Sequence, residues 1–127
     1  MTSMPPVPRR MANTADLAAQ ADGRNGALWK LEPGRRDLDA NVIALAPGAE
    51  IGEHVGPELD VLLHVVAGSG LLHGEGTTVQ LGAGDIIYLP ARARRHFVAG
   101  EQGLSYFSVH QRKTTAGLMP AHRPSET

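Results

Sequence analysis

Pro47-Gly48-Ala49-Glu50-Ile51-Gly52-Glu53-His54-Val55-Gly56-Pro57-Glu58-Leu59-Asp60-Val61-Leu62-Leu63-His64-Val65-Val66-Ala67-Gly68-Ser69-Gly70, followed by Gly84-Asp85-Ile86-Ile87-Tyr88-Leu89-Pro90-Ala91-Arg92-Ala93-Arg94-Arg95-His96, decides how this 127-residue chain folds. Short runs of high β propensity are bounded by glycine or proline, the residues that turn a chain or stop a ladder. From Val61 to Ala67 both strand faces are mainly apolar. Such a strand is covered on both sides, by a barrel interior and by a second sheet or partner. Working outward with the same punctuation, strands are expected at 27–31, 38–46, 50–55, 60–67, 69–73, 77–81, 85–89, 95–99 and 104–111. Nine short strands with frequent turns predict an all-β fold, an antiparallel sandwich or barrel.

The flanks read differently. Residues 1–26 form an arm: a proline-bearing, aperiodic start, then a short helix that Asn13 or Thr14 can cap, that alanines favour and that Gly23 can end. Residues 27–113 carry the strands. Residues 114–127, with Pro120 and Pro124, read as a flexible tail.

Composition narrows the chemistry. The chain has no cysteine, so a disulfide framework, a thiolate metal site and thiol catalysis are excluded, and a cytoplasmic location is expected. Any metal would have to be held by His, Asp or Glu. No apolar run reaches the roughly 20 residues of a membrane span, so no membrane partner is expected. A net charge of −1 and five aromatic residues argue against a nucleic-acid partner. Charge is nonetheless uneven: residues 1–85 hold six Lys/Arg against eleven Asp/Glu, residues 86–127 six against two. That asymmetry concentrates Arg92, Arg94 and Arg95 in one loop.

The two quoted stretches resemble the paired motifs of the cupin superfamily, Gly-X5-His-X-His-X3,4-Glu-X6-Gly and Gly-X5-Pro-X-Gly-X2-His. The resemblance covers roughly Leu28 to Arg112 and implies a small single-domain barrel, an antiparallel double-stranded β-helix of jelly-roll type. It also implies a homodimer and a divalent metal inside the barrel. Carried over residue by residue, Gly48 places the first histidine at His54, while the second falls on Gly56. The glutamate falls on Asp60 or, counted back from Gly68, on Val61. The second-motif histidine falls on Arg95, with His96 one place later and Arg92 where the motif has glycine.

Two kinds of function follow. His54, Asp60 and His96 would form a two-His, one-carboxylate set for Fe, Mn, Ni or Zn if a bulge shifted the second motif, giving a metal-dependent dioxygenase, lyase or isomerase. His64, four residues after Asp60 on the same strand face, could substitute as a ligand. Otherwise the metal site is altered or absent, and the barrel binds a small polar or anionic metabolite through His54, Asp60, His64, Arg95 and His96. In that case Arg95 presents a planar cationic fork to a carboxylate or phosphate. We favour the second reading. A structural or regulatory dimer whose barrel has lost its chemistry is the third.

Overall fold

Gly68 and Gly103 touch backbone to backbone: a Cβ built on Gly68 would stand 2.1 Å from the Gly103 carbonyl oxygen, and both residues hold positive φ, 79° and 81°. Only glycine fits there. The contact is the corner on which the barrel closes. The computed structural model describes residues 6–112, so the expected 114–127 tail and the first five residues of the arm lie outside the described residues.

One helix, α1 (Thr14–Ala19), precedes seven strands: β1 (Gly26–Lys30), β2 (Leu38–Leu45), β3 (Glu50–Val55), β4 (Val61–Gly74), β5 (Thr77–Gly82), β6 (Ile86–Leu89) and β7 (Arg94–Gln111). The nine expected strands become seven because Gly68-Ser69-Gly70 and Gly100-Glu101-Gln102-Gly103 bend their strands without ending them. Along each of the two long strands the partner changes at the bend. The first half of β4 pairs with β6 and its second half with β5, while the first half of β7 pairs with β3 and its second half with β2. β4 and β7 pair with each other along nearly their whole length, the register slipping at Val65/Ala67 and Gly68/Gly70. Two antiparallel layers result, β1-β2-β7-β4-β6 and β3-β7-β4-β5, continuous through the corner.

Between the layers lies a core of Leu45, Val61, Leu63, Val65, Leu72, Leu81, Leu89, Phe97, Ala99, Leu104 and Tyr106. The phenyl ring of Phe97 and the phenol of Tyr106 stack at 5.2 Å between centroids, linking the two halves of β7. Asn13 caps α1 as expected, its side chain accepting from the Asp16 N–H at 3.0 Å. The helix stops at Ala19, short of Gly23. Leu17 is its one large apolar residue and no helix residue is buried, so packing does not extend it beyond its six residues, fewer than two turns. Among the described residues no helix is long and apolar enough to cross a membrane.

Candidate functional site

At the far end from the corner, two loops tie the quoted stretches together. Gly56 N–H donates to the Ala93 carbonyl at 3.0 Å, and Arg92 N–H donates to the Pro57 carbonyl at 2.7 Å. Ala93 N–H donates to the Pro90 carbonyl at 3.0 Å, closing a four-residue turn whose third residue, Arg92, has φ 62°. That is the glycine position of a type II turn, occupied here by arginine. The turn delivers the chain into β7 with Arg95, Phe97 and Ala99 facing the core and Arg94, His96 and Val98 facing away.

Arg95 is the outcome of that phase. The residue is only 6% exposed and its side chain lies directly over Gly56, where an added Cβ would stand 2.1 Å from Nη2, 2.4 Å from Cζ and 2.7 Å from Nε. Nε donates to the Ala93 carbonyl at 3.3 Å, while Nη2 is buried with no hydrogen-bond partner. Burial lowers the pKa of the guanidinium, and the nearby Tyr106 hydroxyl opposes the shift. Burial pushes Tyr106 up to about 12, with Arg95 pulling the other way. At neutral pH the pair is therefore a fixed cation beside a neutral phenol.

The other expected residues divide by face. His54 is the direct cross-strand partner of Arg95 and so shares its inward face, but it is exposed at the mouth. Its Nδ1 pairs with the Gly52 carbonyl at 2.9 Å. His96, one residue along from Arg95, points outward: its ring lies 5.3 Å from that of His73, and Nε2 meets Glu50 Oε1 at 2.7 Å. The one-residue bulge that would have turned His96 inward is not in β7; the irregularity lies in β3, between Ile51 and His54. Asp60 accepts from the Ala91 N–H at 2.9 Å and bonds the Tyr88 hydroxyl, which raises the phenol's pKa. His64 shares the outer face of β4 with Leu62, beside Ile86 of β6. Thus the structure keeps His54 with Arg95 and turns Asp60, His64 and His96 away from them. Among the described residues no three His, Cys, Asp or Glu side chains come together as a metal-holding group, so the set His54, Asp60 and His96 is not assembled. A fixed guanidinium in the same space also repels a divalent ion. These residues do not fit a resident metal.

Three inward residues escaped the sequence reading. Tyr106 has no motif position to mark it as more than a packing residue. Asn41 and Ser108 pair directly, Ser108 pairs in turn with buried Leu63, and this places all three on the inward face. Asn41 Oδ1 is buried without a partner. The alternation of β7 held the signal: counted by twos from Leu104 and Tyr106, the next inward positions are Ser108 and His110. A separate cleft of about 260 Å³ lies between α1 and the corner, edged by Asp22, Arg24, Gln102 and Ser105, and no orphaned buried side-chain atom faces it among the described residues.

The family model for the cupin domain matches residues 41–110. The chain belongs to the cupin family. Solved structures agree on the fold: a Bacillus halodurans protein at 21% identity, covering 90% of this chain and 88% of its own with a TM-score of 0.67, and a cupin 2 conserved barrel domain protein of Salinispora arenicola at 24%, covering 84% and 89% with a TM-score of 0.63. The structure of KdgF from a Halomonas species is similar at 22% identity, covering 71% of this cupin and 81% of its own chain with a TM-score of 0.60. No curated relative matches the sequence.

Proposed function

We propose that this cupin binds a small polar or anionic molecule on its inward face, without a resident divalent metal, and that Arg95 is the anion anchor. One observation carries the reading: Arg95 is a buried residue, 6% exposed, whose guanidinium Nη2 has no partner. A buried charged donor left unmet is costly, and native structures rarely keep one without a use for it. A carboxylate or phosphate oxygen would satisfy Nη2, and the inward-facing His54 at the mouth would meet the solvent side of the ligand. Asp60, His64 and His96 then serve the frame rather than the ligand. Titration calorimetry of protein stripped with a chelator tests this, with acetate, lactate and inorganic phosphate as probes. Heat of binding that persists without metal and disappears in Arg95→Met is expected; binding that requires added Mn²⁺, Fe²⁺, Ni²⁺ or Zn²⁺ sinks the reading.

The proposal also gives this cupin a second copy of itself as partner. The outer face of β4 and β6 presents Leu62, Ile86 and Tyr88 at 46%, 68% and 59% exposure, side by side in the pairing Leu62↔Tyr88 and His64↔Ile86. An antiparallel sheet facing water carries polar residues on that side. Light scattering should give twice the chain mass, and Ile86→Glu should halve it.

A further inference from the structure

Two buried polar atoms among the described residues have no partner, Arg95 Nη2 and Asn41 Oδ1, one a donor and the other an acceptor. Strand register places them at the same depth. The Phe97–Tyr106 stack spans the barrel at 5.2 Å. Arg95 lies two residues before Phe97, and Ser108, the partner of Asn41, lies two residues after Tyr106, so both sit one inward position nearer the mouth than the stack. Two strand residues are roughly 6.6 Å, one layer of side chains. The barrel therefore has a floor, Phe97 and Tyr106 with Leu72, Val65 and Ile43 as their cross-strand partners, that is apolar apart from the Tyr106 hydroxyl, and above it a layer in which Arg95, His54, Asn41 and Ser108 stand with Leu63.

Resting on the anion-binding reading above, we infer that the ligand is a small carboxylic acid that also carries a hydrogen-bond donor, a hydroxyl or an ammonium, on its short carbon chain. Its carboxylate accepts from Arg95 Nη2 and its donor group bonds Asn41 Oδ1, so the two orphaned atoms are satisfied by one molecule. A plain carboxylate meets only the first. A polyol acid brings further hydroxyls into surroundings that are mostly aliphatic and aromatic, where the Tyr106 and Ser108 hydroxyls are the few partners for them. Selection in such a site follows from unmet groups: an analogue lacking the donor leaves Asn41 Oδ1 buried and bare.

Matched acids separate the possibilities in calorimetric titrations of the full chain: glycolate against acetate, lactate against propionate, and 3-hydroxybutyrate against butyrate. Alanine and β-alanine distinguish an ammonium donor from a hydroxyl. The donor-bearing member of the fitting pair should bind about tenfold more tightly. Asn41→Leu should erase that ratio while holding the plain acid within about twofold, and Arg95→Met should abolish both. Methoxyacetate, which keeps the oxygen and lacks the donor, needs no variant and should bind no better than propionate. Equal affinities within every pair overturn the inference, as does an Asn41→Leu variant that weakens both members alike; in either case acids still bind and the function proposed above stands. If no acid binds at all, that function fails first.

Discussion

Arg95→Met should make this protein more stable while removing its ligand site. Methionine keeps an unbranched chain of similar reach in a pocket whose neighbours are Gly56, Phe97 and Tyr106. The substitution removes a charged donor, Nη2, that is buried without a partner. Relief of that desolvation is worth about 1–3 kcal/mol. Against it stands the loss of one long hydrogen bond, Nε to the Ala93 carbonyl at 3.3 Å, worth about 0.5–1.5 kcal/mol. The difference is a gain of roughly 1 kcal/mol. Urea unfolding followed by circular dichroism reads it directly, as a higher midpoint with an unchanged slope. The same preparation should show no heat with carboxylic acids. A midpoint lowered by the equivalent of 1 kcal/mol or more would refute the reasoning, because it would make Arg95 a structural residue whose hydrogen bonds the fold needs.

Tyr106 sets a stability loss in alkali: its pKa is held at about 12 by burial, against an ordinary 10.0, so below pH 10 both states keep the proton and its contribution is whole, whereas between pH 10 and 12 only the unfolded chain ionises. That removes up to about 2.7 kcal/mol, and Tyr106→Phe should flatten the decline in a pH series of urea midpoints. Arg92→Gly should stabilise by about 0.5–1 kcal/mol, since glycine accepts the φ of 62° that arginine holds under strain; an unchanged midpoint would mean the turn relaxes without cost. Gly68→Ala should destabilise by about 3 kcal/mol or prevent folding, because the new Cβ would meet the Gly103 carbonyl oxygen at 2.1 Å with no side chain to yield.

Turn chemistry made the barrel legible. Gly48, Gly76 and Gly84 all hold positive φ at the turns where strands were expected to end. The same rule failed at Gly68-Ser69-Gly70 and Gly100–Gly103, because a glycine that lets two backbones touch looks identical in sequence to a glycine that turns a hairpin. Only the partner strand, more than 30 residues away, tells them apart. The site was legible in part for a related reason. Alternation alone decides that His96 faces out once Arg95 faces in, and the choice depended on whether the arginine-rich loop held an extra residue. It does not: the loop is a plain four-residue turn. Asn41 and Ser108 went unseen because each is an unremarkable polar residue in its own strand. They become a pair only through the β2–β7 register.

That register also changes how Gly56 and Arg95 should be weighed. In sequence they count as two separate histidines missing from the family motif, each a loss to be explained by itself. In the barrel they occupy a single volume, since the guanidinium lies where any side chain at position 56 would have to begin. A residue with a Cβ at 56 displaces the guanidinium, and the guanidinium keeps its present seat only while position 56 is glycine. Gly56→Ala is consequently a test of Arg95. The clashing atoms are the end of a flexible side chain, so the fold should survive at little cost, but the guanidinium must shift by more than an ångström to reach ordinary contact distance, and the anion site goes with it. On the proposed anion-binding reading the pair is one exchange, a fixed organic cation at the two positions where the motif resemblance implies metal ligands.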